Sequence, residues 1–502
     1  MITVLLNRPE FEYDIHSLVK AFFPEETVYV SDQEKEHADA VIRYHMNVQF
    51  LENTIKIKFI EMLRDGTEEQ GAAYVPVDME NETAVDYCDP KETKNRLKRA
   101  LYRMLSEYTG KTLPWGDLTG IRPTKLSMTM LEQGRGPDEI VRHMQDTYLC
   151  SPEKARLSLE IAERELALLR QLDYENGYSL YIGIPFCPTT CLYCSFTSFS
   201  LTAWKDRVEE YLDALEQEID FTAVACRHKK LNTIYIGGGT PTTLSPGQLD
   251  RLLRKIKCSF DLSHLLEFTV EAGRPDSITE EKLEVLLRHG VDRISINPQT
   301  MKQETLDLIG RRHTVEQTIE SFQMARRLGF DNINMDLIVG LPGEELSDVA
   351  ETLEEIRKLS PDNLTVHSLA LKRAARLNMN ADDYKDYKIV NTEEHVALAA
   401  RAAHEMGMTP YYLYRQKNMA GNLENVGYAR EGKAGIYNVL IMEEKQTILA
   451  LGAGAISKFV YDDNGERKIV RVENVKDIMH YFRRMKEMIA RKANKMEEIA
   501  WH

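Results

Sequence analysis

Tyr181-Ile182-Gly183-Ile184-Pro185-Phe186-Cys187-Pro188-Thr189-Thr190-Cys191-Leu192-Tyr193-Cys194 is the stretch on which the reading of this chain turns. It opens as an apolar, β-rich run at the end of the first expected strand. Three cysteines follow with the spacing C-x3-C-x2-C. Thiolates are soft ligands that suit zinc or iron–sulfur. Structural zinc takes four ligands, often as two separated pairs. Here no fourth cysteine is near, and no histidine lies between Arg170 and Arg227. Three cysteines can hold three irons of a [4Fe–4S] cube and leave the fourth iron open to another ligand. The alternatives are three buried structural cysteines or a zinc site.

Outward from this loop, short β-branched or aromatic runs alternate with amphipathic stretches. Strands are expected at 179–186, 233–237, 267–271, 292–297, 332–340 and 363–371. Helices are expected at 204–227, 247–257, 280–289, 315–328 and 347–359. This alternation reads as βαβ units on a parallel sheet. Six units are too few to close an eight-stranded barrel, so the fold class is α/β with an open, three-quarter (β/α)6 barrel. Sites in such folds lie at the C-terminal ends of the strands. Gly237-Gly238-Gly239-Thr240-Pro241-Thr242 follows the second strand, where glycines let backbone approach a ligand closely. Glu271 ends the third, Gln299 follows the fourth with Arg311 twelve residues on, and Asp336 lies in the fifth. Each alone also suits a surface or capping role, but their shared placement points to one site.

The rest of the chain supplies the setting. Residues 1–90 read as a small α+β module, with strands at MITVLLN, ETVYVS, NTIKIKFIEML and AAYVPVDM around a helix at 12–23. Residues 91–172 form a helical linker region, broken at Leu113-Pro114-Trp115-Gly116-Asp117. The barrel occupies 173–375. A mixed α/β extension at 376–502 begins with a helix at 382–406, carries a hairpin around Asp463-Asn464-Gly465 and ends in a basic, solvated helix at 475–499.

Over 502 residues, 43% hydrophobic and 28% charged composition is that of a folded globular chain. The net charge of −15 argues against nucleic acid as a partner. No apolar run is long enough to span a membrane, and Pro9 and Glu10 come too early for a signal peptide. A cytoplasmic location is therefore expected. Seven cysteines in so long a chain are no disulfide framework, and the four outside the loop are expected to be buried small hydrophobes.

With those residues in view, the cysteine loop after the first strand of a six-unit partial barrel resembles the radical S-adenosylmethionine (SAM) superfamily. Tyr-x-x-Ile-Pro-Phe-Cys, the aromatic residue before the last cysteine, Gly-Gly-Gly-Thr-Pro-Thr and Asp-Leu-Ile-x-Gly-Leu-Pro are similar to the oxygen-independent coproporphyrinogen III dehydrogenase (oxidase) family over about 180–342, with weaker similarity to Ser457. The N-terminal module and Leu118-Thr119-Gly120-Ile121-Arg122-Pro123-Thr124-Lys125 resemble its HemZ-type branch.

The resemblance implies Cys187, Cys191 and Cys194 as ligands of a [4Fe–4S] cluster. It implies Tyr181, Tyr193, Gly238, Gly239, Thr240, Glu271, Gln299, Arg311 and Asp336 as SAM contacts. Ala370 and Ile456 match the remaining contact positions more loosely, in a family that holds a second SAM beside the first. It also implies an electron from a low-potential flavodoxin or ferredoxin, cleavage of SAM to methionine and a 5′-deoxyadenosyl radical, and hydrogen abstraction from a porphyrinogen substrate. Coproporphyrinogen III would lose two carboxyl groups as CO2 and become protoporphyrinogen IX, a step of haem biosynthesis that needs no oxygen. Arg311, Arg312, Lys372, Arg373 and Arg376 are candidates to face the substrate carboxylates.

Two positions depart from the dehydrogenase pattern. Gly183 stands where the family has a histidine, and Phe196 where it has a further cysteine. A sister branch that carries haem shows a His-Asn-x-x-Tyr-Trp segment. This chain has Ile436-Tyr437-Asn438-Val439-Leu440 in the comparable place. A haem carrier, or a radical SAM enzyme with another substrate, are the alternatives.

Overall fold

The computed structural model describes residues 1–33, 41–62, 77–370, 387–416 and 423–501. It comprises two compact units, Met1–Glu160 with Arg415–Leu423, and Ile161–Tyr414 with Glu424–His502. In the first, β1 (Ile2–Leu6), β2 (Val28–Ser31), β3 (Tyr44–Phe50), β4 (Thr54–Glu61) and β5 (Asp78–Ala84) form a sheet in the order β2-β1-β3-β4-β5. β1 is parallel to β2 and β3, and the remaining pairs are antiparallel. β1 buries Ile2, Val4 and Leu6, and β4 buries Ile55, Ile57 and Phe59. That period of two marks a sheet covered on one face. Helices Glu12–Phe22 and Pro90–Thr109 bring Leu18, Phe22, Leu101 and Leu105 to the same core. The sequence reading missed β3, whose His45, Asn47 and Gln49 dilute its apolar alternation. Most of the expected strand AAYVPVDM lies outside the described residues, and β5 begins at its penultimate residue.

The second unit carries the barrel. β6 (Gly177–Ile184), β7 (Lys230–Gly238), β8 (Glu267–Gly273), β9 (Arg293–Ile296), β10 (Ile333–Val339) and β11 (Asn363–Ser368) lie side by side in chain order, all parallel. Helices Val208–Ala225, Pro246–Ser259, Glu280–Arg288, Val315–Leu328 and Leu346–Leu359 connect them. The six strands are buried along nearly their whole length, as expected where helices cover a parallel sheet. Each helix turns one apolar stripe inward, as in Leu249, Leu252, Leu253 and Ile256. Capping boxes at Ser245–Gln248 and Thr314–Gln317 start two of them.

β6 and β11 do not pair, so the barrel stays open, as expected. Beyond β11 the sheet continues antiparallel through β13 (Asn425–Ala429) to β12 (Thr409–Tyr414). Beyond β6 it continues through the parallel β14 (Thr447–Leu451) to the hairpin β15 (Ile456–Asp463) and β16 (Glu466–Glu473). Asn464 and Gly465 both have positive φ, the two-residue turn that Asn-Gly favours.

Two helices differ from expectation. The helix expected at 382–406 is described as Glu393–Glu405, and 382–386 lie outside the described residues. The basic helix expected at 475–499 is two helices, Ile478–Arg483 and Met485–Glu498, and it is not simply solvated. Lys492 is fully buried and ion-paired to the equally buried Glu218. Among the described residues no helix is long and apolar enough to cross a membrane.

Candidate functional site

The cysteine loop leaves β6 at Pro185 and is stitched to the barrel by backbone. Ile184 O accepts from Gly239 N at 2.7 Å, Phe186 O from Thr240 N at 2.7 Å, and Ile309 O from Leu192 N at 2.9 Å. Leu192 packs with Leu306, Ile309, Ile338, Leu341 and Leu369. Cys187 and Cys191 are buried and Cys194 is partly exposed. The Thr240 hydroxyl reaches the Cys187 sulfur at 3.6 Å. Burial, with some help from the neighbouring Cys194 and Cys191, pushes the Cys187 thiol up to about 11. A bound metal would be needed to make it a thiolate at neutral pH.

The glycine strip has no room for side chains. A Cβ at Gly239 would lie 2.6 Å from Phe186 O, and Gly238 has φ +107°. Glu271 stands beside it, accepting from the Tyr235 hydroxyl at 2.5 Å and from Gly238 N. Burial, opposed by the Tyr235 bond and assisted by the charge of Asp336, lifts the Glu271 carboxyl to about 7. Tyr181, Tyr235 and Tyr437 stack their rings here, the last two 4.5 Å apart at 22°. Tyr437 is held in place because Glu267 accepts from the first two N–H groups of its helix, Ile436 at 2.5 Å and Tyr437 at 3.4 Å.

The facing strands supply charge. Gln299 sits at φ +66°, a strained angle for a side-chain-bearing residue. Its backbone is pinned to β10 by Gln299 N to Asp336 O and Ile338 N to Gln299 O, both 2.9 Å. Arg311 is buried, donates to Asn297 O at 2.5 Å and touches the Tyr193 hydroxyl and the Cys191 thiol. It therefore serves the cysteine loop and is not a free clamp for a substrate carboxylate. Asp336 accepts from Asn334 Nδ2 at 2.7 Å, with His367 Nε2 3.8 Å away. Burial works to raise its pKa, but His367, Asn334 and the charge of Arg293 hold the carboxyl below its ordinary range.

Of the expected site residues, Gly239, Thr240 and Arg311 reach the cysteine loop that carries Tyr193, Glu271 meets Gly238 and Tyr235, whose ring stacks with Tyr181, and Gln299 is bonded to β10, where Asp336 lies in mid-strand. Ala370 lies two residues beyond β11. Ile456 begins β15, is 43% exposed, and is not joined to the polar set. Arg312 is exposed, and Lys372, Arg373 and Arg376 lie outside the described residues. Phe196 is also exposed. A Cβ at Gly183 would meet Leu451 O at 3.4 Å and Tyr181 Cε1 at 3.5 Å, ordinary contacts that leave room for a Cβ there.

Sequence reasoning missed several groups. Arg274 is buried beside the cysteine loop, three residues after Glu271 in Glu271-Ala272-Gly273-Arg274-Pro275-Asp276, and that position was its one signal. Tyr235, Tyr437, Arg293 and His367 carry no local signature. Nor does the network at the loop after β14. There Glu218 accepts from Gly452 N at 2.8 Å, Asn474 Nδ2 at 2.7 Å, the Tyr481 hydroxyl at 2.6 Å and Lys492 Nζ. Tyr211 bridges this loop to β6, donating to Gly183 O at 2.6 Å and accepting from Ala453 N at 3.2 Å.

Among the described residues no three His, Cys, Asp or Glu side chains are gathered tightly enough for a single metal ion. A four-iron cube spreads its thiolate ligands more widely, and one loop carrying three thiols suits it. The side-chain-free glycine strip, the carboxylates of Glu271 and Asp336, the guanidinium of Arg311 and the buried, unbonded Oε1 of Gln299 fit a ligand bearing an amine, a carboxylate and hydroxyls.

Comparison with known proteins agrees. The radical SAM superfamily profile matches residues 181–356. Over 443 residues, 88% of this chain and 87% of the relative, the chain is 43% identical to the oxygen-independent coproporphyrinogen-III oxidase-like protein HemZ of Bacillus subtilis (strain 168). It is 42% identical to the heme chaperone HemW of the same organism over 198 residues, 39% of this chain and 51% of that protein. Among solved structures, the coproporphyrinogen III oxidase HemN of Escherichia coli, a radical SAM enzyme, superposes with a TM-score of 0.50 and 25% identity, covering 64% of this chain and 73% of that one. A cysteine loop and glycine strip on a six-stranded open barrel, matched along most of its length by such a relative, place this chain in the radical SAM superfamily, in the family of the oxygen-independent coproporphyrinogen-III oxidase-like protein HemZ.

Proposed function

We propose that the protein converts coproporphyrinogen III to protoporphyrinogen IX by oxidative decarboxylation of two propionate arms without oxygen. What supports this reading is the three-cysteine loop on an open parallel barrel, with Arg311 on Cys191, in a chain 43% identical to the oxidase-like protein HemZ and similar in fold to the E. coli oxidase. When bound, a [4Fe–4S] cluster held by Cys187, Cys191 and Cys194, together with SAM, would supply the radical chemistry able to take a hydrogen atom from a propionate β-carbon.

The chain's own residues bind, orient and shield. Gly238, Gly239 and Thr240 offer backbone close to the loop. Asp336, held ionised, suits a cationic or hydroxyl-bearing group. Glu271, poised near neutrality, accepts or gives up a proton with small changes around it. Tyr181, Tyr193, Tyr235 and Tyr437 line the interior with rings whose hydroxyls burial keeps protonated, which limits water near a reactive centre.

A second reading, a haem carrier, is favoured by the 42% identity to HemW and by Gly183 in the place of the dehydrogenase histidine. One assay separates them. Anaerobically reconstituted protein is given excess SAM, dithionite and coproporphyrinogen III, and products are read by mass spectrometry. 5′-Deoxyadenosine together with protoporphyrinogen IX is the expected result. 5′-Deoxyadenosine without porphyrin product, with stoichiometric haem binding, overturns it in favour of the carrier.

A further inference from the structure

The side chain of Arg274 is only 4% exposed, and every contact around it is specific. Asp276 grips its guanidinium with two oxygens, Nε to Oδ1 at 3.0 Å and Nη2 to Oδ2 at 2.7 Å. The remaining nitrogen, Nη1, donates to the carbonyl of Thr189 at 2.9 Å and to its hydroxyl at 2.8 Å. Thr189 lies between Cys187 and Cys191, and its hydroxyl in turn donates to Gly310 O at 2.8 Å. The same Nη1 stands 3.8 Å from the Cys191 sulfur. A planar fork held by a carboxylate is an oriented donor, so its third nitrogen is aimed rather than mobile. Arg311 touches Cys191 as well, so two buried guanidinium groups converge on one thiol. The neighbouring imidazole of His313 is fully buried with neither nitrogen bonded, and burial and these two charges push it down to about 4. It is therefore neutral, and Asp276 is the countercharge at hand.

We infer that Arg274 is a positioning residue that clamps the cysteine loop through Thr189 and, by donating to the Cys191 sulfur, holds the midpoint potential of the bound cluster up. The inference rests on the cluster reading above. Its logic is electrostatic. Accepting one electron makes the cluster more negative, and a fixed positive charge with an N–H donor at a ligating sulfur stabilises that reduced form.

The test uses the full chain, reconstituted anaerobically, with dithionite as the one-electron donor and the reduced cluster followed by electron paramagnetic resonance in a redox titration. Arg274→Gln is expected to shift the midpoint potential to a more negative value, and Arg274→Lys, which keeps the charge but not the fork, to fall between. A purely structural role would lower the melting temperature or iron content without moving the potential. A loaded Arg274→Gln protein with the wild-type potential overturns the inference. If Arg274→Gln takes up no iron, Arg274→Lys decides, and a wild-type potential there overturns the sulfur hydrogen bond. Wild-type protein that takes up no cluster overturns the cluster reading itself, and the inference with it.

Discussion

Strands β6 to β8 and strands β9 to β11 run the same way in one parallel sheet, yet they carry different materials. The first three carry the cysteine loop and a strip of glycines, so their offering is thiols and bare backbone. At the glycine strip their carboxylate is Glu271, which leans on a neutral tyrosine and sits near neutrality. The last three bring Arg311 and Asp336, and Asp336 has a histidine, an amide and the Arg293 charge to keep it ionised. Burial pushes both carboxylates the same way, and the partners decide where each ends. One half of the barrel presents thiols and bare backbone, the other buried charged groups.

If that division holds, substitutions on the two halves fail differently. The largest effect belongs to Cys191→Ala, which should lose the bound cluster and with it all SAM cleavage. Retained acid-labile iron and sulfide, or any 5′-deoxyadenosine, would break the assignment. Next comes Asp336→Asn. It should weaken SAM binding by roughly 10- to 100-fold, about 1.5–3 kcal/mol for one charged hydrogen bond, while iron content stays at the wild-type level. Equilibrium dialysis with labelled SAM measures the first and iron analysis the second. A loss of iron in Asp336→Asn would erase the distinction between the halves.

The smallest effect concerns Glu271. Its folded pKa is raised, so the folded chain holds the proton more tightly than the unfolded one. Stability is then fully present below about 4.5, the unfolded value, and declines as pH climbs toward about 7. Glu271→Gln should remove a slope worth roughly 1–3 kcal/mol across that window, the pocket's solvent reducing the figure. Urea melts of both proteins at several pH values check it, and parallel curves would show that Glu271 is not held near neutrality.

The barrel was legible because each parallel strand, buried on both faces, writes a continuous apolar run between helices of steady length. The cysteine loop was legible because its spacing is local. What stayed hidden depends on pairs far apart in the chain. Arg274 meets Cys191 across 83 residues, Ile436 meets Glu267 across 169, and Lys492 meets Glu218 across 274. No local pattern distinguishes Lys492 from the solvated lysines around it. Tyr437 is hidden for a related reason: its phenol stacks on Tyr235, 202 residues away in the chain.

The Glu218 network also sets a timetable. Glu218 leaves the ribosome 274 residues ahead of Lys492, a delay of tens of seconds at about 5–20 residues per second. Until then a carboxylate destined for the interior has no cation, although Tyr211 and the β6–β14 pairing already fasten the Gly452 loop beside Gly183. The buried pair that ties Glu218 to Lys492 is thus among the last long-range contacts of the barrel unit to form during synthesis.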